Sequence, residues 1–368
     1  MEMLGRYRIT GRIGSGSFAT VYQGHDDTLD VPVAVKVLAD NWAANDDVRA
    51  RFLAEARLLR RLTDERIVGV YDIGTTDRGQ PYFVMDLANG GSLEQLRKRP
   101  VAPGLALRLC AEATRALEVL HRNQLVHRDV TPGNILLNNT PGGVRVMLAD
   151  LGVAKSLLDE YRDTMTAGTP AYMALEQANS SQLDQRSDLY SMGAVAYALL
   201  TGHPPFPIKT LADLLNRNPA IGPVPIADRL GAPESLDRFF ASVLSPDPNR
   251  RPQTAAVLAS AFDDFAARLP GGDQYAPRPR TATAAGSSGT VPVVPLAPTA
   301  LLSGSSPASL APRTETPVSV LDGYLGRGKY QPAKTTESHS VWFWLWIVLS
   351  ALALGGLVLW LTVYLLTT

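Results

Sequence analysis

The sequence predicts an α+β globular domain, followed by an unfolded linker and a single C-terminal transmembrane helix. Three regions of different composition along the 368 residues lead to this prediction, and the length itself allows two or three structural units. Up to residue 268 the chain mixes apolar, charged and turn residues as a folded domain does. Residues 269–340 are rich in proline and small polar residues, and residues 341–366 carry no charge.

Charge and cysteine content exclude several classes of protein. The chain has 35 basic and 35 acidic residues, so it lacks the basic excess of a nucleic-acid binder, and we expect no nucleic-acid partner. Its single cysteine, Cys110, can form neither an internal disulfide nor a multi-cysteine metal site. The histidines His25, His121, His203 and His339 lack metal-ligand spacing, and the sequence assigns them no role.

A glycine-rich segment lies near the amino terminus, between two runs of alternating apolar residues. It reads Gly14-Ser15-Gly16-Ser17-Phe18-Ala19-Thr20-Val21. The alternation predicts a strand–turn–strand hairpin, which differs from the strand-to-helix turn of a dinucleotide-binding fold. Glycines let a backbone approach phosphates closely, although a plain glycine-rich hairpin explains the segment equally well when it is taken alone.

A lysine and a glutamate follow in two different patterns. Lys36 lies in the apolar run Val33–Val37, where an unpaired buried ammonium would be costly, so it needs an anionic partner. Glu55 lies in a helical pattern that runs from Val48 to Leu59. A strand lysine paired with a helix glutamate can hold nucleotide phosphates. The alternative is a lysine that reaches solvent and a solvated glutamate.

Two turns farther along the chain place acidic and amide side chains beside short apolar strands. The first reads His127-Arg128-Asp129-Val130-Thr131-Pro132-Gly133-Asn134. The second, Ala149-Asp150-Leu151-Gly152, follows a strand pattern at residues 144–148. Magnesium prefers oxygen ligands, which Asn134 and Asp150 can supply together with phosphate and water.

The order of these motifs resembles the eukaryotic-type (Hanks-type) protein kinase family. The resemblance covers about residues 5–268, and the bilobal fold of that family implies a small β-rich N-lobe at about 5–86 and a larger helical C-lobe at about 87–268. With its linker and apolar tail, the chain is similar to bacterial membrane-anchored Ser/Thr protein kinases. Three further segments match the family: Gly168-Thr169-Pro170-Ala171-Tyr172-Met173-Ala174-Leu175-Glu176, Ser187-Asp188-Leu189-Tyr190-Ser191-Met192-Gly193 and Arg251-Pro252.

The resemblance implies ATP with Mg²⁺ (or Mn²⁺) as cofactors and Ser/Thr hydroxyls of proteins as substrates. Asp129 is then the catalytic base, Lys36 holds the α- and β-phosphates, and Glu55 orients Lys36. Asn134 and Asp150 are the implied metal ligands. The residues implied to contact the nucleotide are Ile13, Gly14, Ser15, Gly16, Ser17, Phe18, Ala19, Val21, Ala34, Lys36, Asp86, Ala88 and Leu136.

Other residues are implied to support the site. Asp188 is expected to brace the backbone of the loop that carries Asp129, and Glu176 to form a buried ion pair with Arg251. Breaking such a pair would cost about 3–5 kcal/mol.

Control by phosphorylation is implied by Arg128, which precedes Asp129. A phosphate carries nearly two negative charges and can order a loop by pairing with arginine. Thr164 and Thr166 lie just before the Gly168-Thr169 segment, and they are the expected phosphosites. Two solvated loop threonines are the alternative.

The chain departs from the family pattern at three positions. Ala19 replaces the third loop glycine, and Leu175 replaces the proline of the Ala-Pro-Glu motif. Thr131 stands where Ser/Thr kinases usually place a lysine that contacts the γ-phosphate, and losing one such contact typically slows a reaction by about 10²–10³. We therefore expect a slower enzyme. An ATP-binding pseudokinase scaffold at the membrane is the alternative.

The C-terminal regions predict how the domain is attached. Nine prolines and no phenylalanine or tryptophan fall between residues 271 and 340, which predicts a disordered juxtamembrane linker at 269–340. The 26 uncharged residues of 341–366 suffice to span a bilayer. Basic residues precede this segment and none follows it, so the domain is expected on the cytoplasmic side of the cell membrane as a single-pass protein without an extracytoplasmic domain.

This attachment implies further partners. Membrane lipid surrounds the anchor, and two domains tethered in one membrane meet at high effective concentration, which predicts a transient dimer and autophosphorylation in trans. By analogy with the family, phosphorylated linker threonines could recruit a phosphothreonine-binding partner, while a flexible tether is the simpler role of the linker.

Overall fold

The amino-terminal lobe of the computed structural model is a six-stranded antiparallel sheet. The structure describes residues 3–141, 143–152, 169–179 and 183–272. The strands of this lobe are β1 (Met3–Leu4), β2 (Tyr7–Ser15), β3 (Ala19–Asp26), β4 (Val31–Leu38), β5 (Val70–Thr75) and β6 (Pro81–Asp86). They are hydrogen-bonded in the order β1-β2-β3-β4-β6-β5, so that β4, which carries Lys36, is flanked on both sides.

The glycine-rich segment lies in the hairpin between β2 and β3, as the alternating pattern predicts. Ser15 pairs with Thr20, and residues 16–18 make the turn. Two register shifts, between Ile9 and Gly11 and between Arg12 and Gly14, interrupt the ladder on the β2 side. Such bulges bend a strand and increase its twist.

Two helices, α1 (Asp40–Ala43) and α2 (Asp46–Arg61), follow β4. The side chain of Asn45 accepts a hydrogen bond from the amide of Val48, which caps the first turn of α2. The buried residues of α2 recur at steps of three and four, so one face of the helix packs inward. These residues are Val48, Phe52, Glu55, Ala56 and Leu59.

The second lobe is helical apart from one hairpin, which consists of β7 (Ile135–Thr140) and β8 (Gly143–Leu148). Short 3₁₀ helices lie at Thr169–Tyr172 and Pro248–Arg250. The helices of this lobe are α3 (Leu93–Arg97), α4 (Pro103–Arg122), α5 (Leu175–Ala178), α6 (Arg186–Thr201), α7 (Leu211–Leu215), α8 (Ala227–Leu230), α9 (Ser235–Val243) and α10 (Ala255–Ala266). The predicted bilobal α+β architecture is confirmed.

Helix α6 lies in the interior of this lobe, because nearly every residue from Ser187 to Leu199 is buried. A helix that is buried on all sides needs close neighbours. Gly193 provides the space, since a Cβ there would lie 2.1 Å from Cγ1 of Val243 in α9.

Strand β8 connects the two lobes and positions the turn that follows it. Its last residue, Leu148, accepts a hydrogen bond from Val68 N at 2.9 Å and donates one to Arg66 O at 2.8 Å. The chain between the lobes is bound to β7, because Gly90 N donates to Leu137 O and Leu137 N donates to Gly91 O, each at 2.8 Å. The turn with Asp150 is thereby fixed against the amino-terminal lobe.

The folded domain extends beyond the boundary predicted at residue 268. Leu269 is buried, and Gly104 N, at the start of α4, donates to Pro270 O at 2.9 Å. Gly104 permits this contact, because a Cβ there would lie 2.4 Å from Gly272 N. Residues 269–272, which the composition assigned to the linker, are therefore part of the folded domain.

Several predictions fall on residues outside those described. These are the expected phosphosites Thr164 and Thr166, the linker from residue 273 onward and the apolar segment 341–366. Within the described ranges, none of the helices has the length and apolar character needed to cross a bilayer.

Candidate active site

Lys36 lies between two carboxylates at the centre of the site. Its Nζ donates to Glu55 Oε1 and to Asp150 Oδ1, each at 2.9 Å. Strand β4 supplies the lysine, α2 supplies the glutamate, and the turn after β8 supplies the aspartate. The Glu55 side chain is almost fully buried, whereas 38% of the Asp150 side chain is exposed. The lysine therefore has one fixed interior partner and one partner at the open side.

Burial and charge act against each other in this cluster. Burial lowers the pKa of Lys36, but the charges of Asp150 and Glu55 outweigh this effect, so the pKa is raised and the ammonium stays charged. Burial raises the pKa of Glu55 to about 7; Lys36 opposes this rise, and Asp150 adds to it. Glu55 and Asp150 share one lysine. Ionisation is less favourable for Glu55, because it is the more deeply buried of the two.

Asp129 and Asn134 lie together in the turn before β7. The Asn134 side-chain amide donates to Asp129 O at 2.8 Å and to Asp129 Oδ2 at 2.7 Å. The backbone of Asn134 is also fixed, because its amide donates to Thr131 O at 3.1 Å and its carbonyl accepts from Ala149 N at 2.9 Å. The carboxylate of Asp129, which is buried, is held by the same amide that the sequence assigns to a metal.

The donor set fits a divalent cation bound with phosphate. The Asn134 amide nitrogen faces Asp129, so the amide oxygen is the atom that can bind a metal, and Asp150 offers a partly exposed carboxylate. Hard oxygen ligands of this kind suit Mg²⁺, which keeps several positions for phosphate and water. Asp150 adopts a left-handed backbone with φ of 58°, which an aspartate tolerates better than most residues.

Asp188, at the start of α6, binds the backbone of the loop that carries Asp129. Its Oδ2 accepts from His127 N at 2.8 Å, and its Oδ1 accepts from Arg128 N at 2.9 Å. Arg128 has a left-handed φ of 65°, which these hydrogen bonds help to maintain. The sequence assigns no role to His121, but its Nε2 lies 2.9 Å from Asp188 Oδ2. Because a carboxylate only accepts, His121 Nε2 is the donor.

The ring of His127 has a defined tautomer. Its Nε2 lies 3.1 Å from Ala149 O and therefore donates, whereas its Nδ1 accepts from Asp129 N at 3.3 Å. The backbone of His127 accepts from Gly152 N at 2.9 Å. A neutral, fully buried histidine thus connects the turn of Asp129 to the turn of Asp150.

Gln177, in α5, is a second residue that the sequence analysis missed. Its Oε1 accepts from Ala174 N at 3.1 Å, and its Nε2 donates to Arg128 O at 3.0 Å. The backbone of Arg128 is therefore bound on both sides: its N–H donates to Asp188, and its carbonyl accepts from Gln177. The contact with Ala174 is local, whereas the contact with Arg128 O spans 49 residues and has no local signal in the sequence.

Glu176 and Arg251 form the expected buried ion pair. The Arg251 guanidinium donates to both oxygens of Glu176, at 2.6 and 3.0 Å, and its Nε donates to Ser245 O at 2.8 Å. Ser187 Oγ donates to Glu176 Oε1 at 2.8 Å. Burial alone would raise the pKa of Glu176, but the Arg251 guanidinium and the Ser187 hydroxyl lower it. The hydrogen bond from Ser187 joins the start of α5 to the start of α6.

The glycine-rich turn lies at the end of the β2–β3 hairpin. Ala19 is buried and pairs with Leu38, whereas Gly14 is half-buried and pairs with Val21. Ser15 pairs with Thr20, and Gly16 N donates to Ala19 O at 2.9 Å, which closes the turn over Ser17 and Phe18.

The residues expected around adenine lie on four strands. Ala34 is buried and pairs with Met85 across β4 and β6, and Leu136 on β7 is half-buried. Val21, half-buried on β3, pairs with Lys36, and Ile13 on β2 is 54% exposed, so it is the least enclosed of the expected contacts.

At the interlobe connection, Asp86 N donates to Gly69 O at 3.0 Å, so a nucleotide contact from the Asp86 backbone would use its carbonyl. Its side chain accepts from Gly69 N at 2.8 Å and from the Tyr71 hydroxyl. Ala88 lies half-buried two residues farther along, in the connection itself.

A family model described as protein kinase domain matches residues 7–262. The chain is 41% identical over 266 residues to a DNA damage-responsive serine/threonine-protein kinase, RqkA, of Deinococcus radiodurans, which covers 70% of the chain and 39% of that relative. It is 35% identical over 280 residues to the serine/threonine-protein kinase PknL of Mycobacterium tuberculosis, with coverage of 75% and 69%. The match thus spans about two fifths of the length of RqkA.

The fold is similar to solved structures as well. The crystal structure of the Mycobacterium tuberculosis PknI kinase domain aligns with a TM-score of 0.56 at 27% identity, over 72% of this chain and 98% of that one.

Proposed function

Because the chain belongs to the protein kinase family, we propose that it is a membrane-anchored serine/threonine kinase that transfers the γ-phosphate of ATP to protein hydroxyls. Members of this family use ATP and Mg²⁺. The relatives matched above carry the names of serine/threonine kinases, which supports the same substrate class here.

One observation carries the proposal, which is the convergence of the charged residues that phosphoryl transfer needs. Lys36 bridges Glu55 and Asp150, and Asn134 holds Asp129 through two hydrogen bonds. Phosphoryl transfer asks little covalent chemistry of a protein, and it depends on positioning and on charge neutralisation. A chain without this chemistry would have no need of all five groups in one place.

The residues have separate tasks in this proposal. Lys36 binds phosphate oxygens and is kept in place by Glu55. Asp150 and Asn134 hold the metal, which neutralises charge on the phosphates when it is bound. Asp129 accepts a hydrogen bond from the substrate hydroxyl and takes its proton.

The test is phosphate incorporation from γ-labelled ATP into a generic Ser/Thr protein substrate. Wild type and Asp129→Asn are compared, with the matched variant Asp77→Asn in an exposed turn as the control. We expect incorporation by wild type and by Asp77→Asn, and a loss of at least about 10² in Asp129→Asn. Equal incorporation by wild type and Asp129→Asn would overturn the proposal and favour an ATP-binding scaffold. Phosphoamino-acid analysis of the product tests the Ser/Thr assignment.

Attachment to the membrane rests on the apolar segment 341–366, which is long enough to span a bilayer. We expect the full chain to remain with the membrane fraction after carbonate extraction, and a chain that ends at residue 340 to be released. Retention of the shortened chain would contradict the anchor.

Activation is proposed to occur in trans on Thr164 and Thr166, since tethering in one membrane raises the effective concentration of the domains. Mixing an Asp129→Asn chain with wild type in one vesicle should label the inactive chain, and Thr164→Ala/Thr166→Ala should remove that label. Deletion of 341–368 should slow the labelling at equal bulk concentration. Labelled linker threonines in the same digest would support recruitment of a phosphothreonine-binding partner.

A further inference from the structure

Trp42, in α1, contacts the turn of the glycine-rich hairpin. Its indole ring stacks on the ring of Phe18, with 5.2 Å between centroids and an interplanar angle of 27°. Its Nε1 donates to Ser17 O at 3.0 Å. Both Trp42 and Phe18 are half-buried and pack against the main hydrophobic core, so the contact has a rigid base.

The turn is held through three successive carbonyls. Ser17 O accepts from Trp42, Phe18 O accepts from Ala39 N at 2.8 Å, and Ala19 O accepts from Gly16 N at 2.9 Å. Only the first of these donors is a side chain. The other two donors are backbone amides. Substituting Trp42 therefore removes the hydrogen bond to Ser17 O and leaves the donors of the other two hydrogen bonds in place.

The direction of the Ser17 carbonyl has a consequence for the peptide that it belongs to. In a trans peptide the carbonyl and the N–H point in opposite directions. Because the Ser17 carbonyl points to the indole, the N–H of Phe18 points away from it. A carbonyl that faced a phosphate would repel it, whereas a backbone N–H attracts it.

We propose that Trp42 is a positioning residue for nucleotide binding, which sets the orientation of the Ser17–Phe18 peptide so that the turn presents an N–H group to the phosphates of ATP. The inference rests on the proposed kinase function. It concerns the phosphates, because the hydrogen bond and the ring stack of Trp42 described above both fall on the turn.

The test compares the binding of MgATP and of adenosine to the full-length protein in detergent by calorimetry. Trp42→Phe keeps an aromatic ring against Phe18 and removes the N–H donor. Loss of one hydrogen bond predicts a rise of about three- to tenfold in the Kd and the KM for ATP, with kcat changed less than KM. The Kd for adenosine should stay at the wild-type value, because adenosine has no phosphate.

Two further variants separate this role from general destabilisation. Trp42→Leu also removes the ring stack, so its effect on ATP should be larger. Arg49→Met is the control, because the Arg49 guanidinium donates to Ala43 O at 3.2 Å, at the end of α1, and to Gly79 O at 2.6 Å, between β5 and β6. It should leave both ligands at wild-type affinity.

The outcomes are distinct. Unchanged ATP binding in Trp42→Phe, or an equal loss of ATP and adenosine, would overturn the inference. Failure of the wild-type protein to transfer phosphate would instead contradict the proposed function. If Trp42→Leu does not fold, the comparison of Trp42→Phe with Arg49→Met still decides the question.

Discussion

His121 donates from Nε2 to Asp188 Oδ2 at 2.9 Å, and this hydrogen bond joins the end of α4 to the start of α6. The same carboxylate accepts the amides of His127 and Arg128, so three donors converge on a group that is 1% exposed. Asp129 directly follows Arg128, so its position depends on these three hydrogen bonds.

Replacing Asp188 by Asn should reduce kcat more than it raises KM for ATP. The NH₂ group of an asparagine would replace one of the two oxygens that accept from His121, His127 and Arg128. That NH₂ group would face at least one of these donors, and the two would have to move apart. We expect a loss of about tenfold or more in kcat from displacement of the loop. His121→Phe removes one donor only and should have a smaller effect. Steady-state kinetics of both variants check this order, which equal losses would contradict.

Replacing Arg251 by Met should lower the free energy of unfolding by about 3–5 kcal/mol, because the mostly buried Glu176 carboxylate would lose the guanidinium that neutralises its charge. The exposed helix pair of Arg122 with Glu118 provides the control, and Arg122→Met should cost about 0.5 kcal/mol or less. Urea unfolding measures both. Similar costs for the two variants would show that the buried pair adds nothing special.

Replacing Glu55 by Gln should stabilise the nucleotide-free protein at high pH while it lowers activity. The pKa of Glu55 is raised to about 7 in the folded protein, above its ordinary value. The stability that a protonated Glu55 contributes is fully present below the unfolded pKa and is lost as pH rises through about 7. The variant should therefore gain on the order of 1 kcal/mol, or about 2–4 °C in Tm, at pH 8.

The same Tm difference should become smaller as the pH falls through about 5, and it should approach zero below the ordinary pKa of a glutamate. A difference that does not change between pH 5 and pH 8 would show that Glu55 does not titrate in this window. Thermal melts at constant ionic strength make the comparison, because salt alters exposed ion pairs elsewhere on the domain.

Replacing Thr131 by Lys should raise kcat. The half-buried Thr131 lies two residues after Asp129 and brings no charge to the phosphates. Adding a preorganised cation there predicts an increase of about tenfold or more. Thr131→Met matches the length of lysine without the charge and should bring no gain. Equal rates for the two variants at saturating ATP would exclude an electrostatic effect.

The motif residues show what the sequence could predict. Three residues of the site are far apart along the chain: Lys36, Glu55 and Asp150. Each lies in a local strand, helix or turn pattern that can be recognised from the sequence alone. The pairing of Glu176 with Arg251 was likewise expected, because both residues lie in segments that match the kinase family.

The contacts made by His121, Gln177 and Trp42 could not be predicted in the same way. Each depends on where an element ends in space: α4 brings His121 to α6, α5 brings Gln177 to the loop of Arg128, and α1 brings Trp42 to a turn. Local patterns carry no information on these distances. The boundary predicted at residue 268 is too early for a related reason, because the burial of Leu269 and the hydrogen bond of Pro270 with Gly104 depend on how the chain packs in space.

The carboxylates of Glu55 and Asp150 both bind the ammonium of Lys36, and Asp129 adds a third carboxylate to the site, so acidic groups outnumber the basic one among these four residues. A bare triphosphate approaching the site would meet repulsion, whereas a triphosphate already complexed with a divalent ion arrives with much of its charge masked. We therefore expect metal and nucleotide to bind together as one complex, and free ATP in excess of magnesium to act as a weak competitor of that complex.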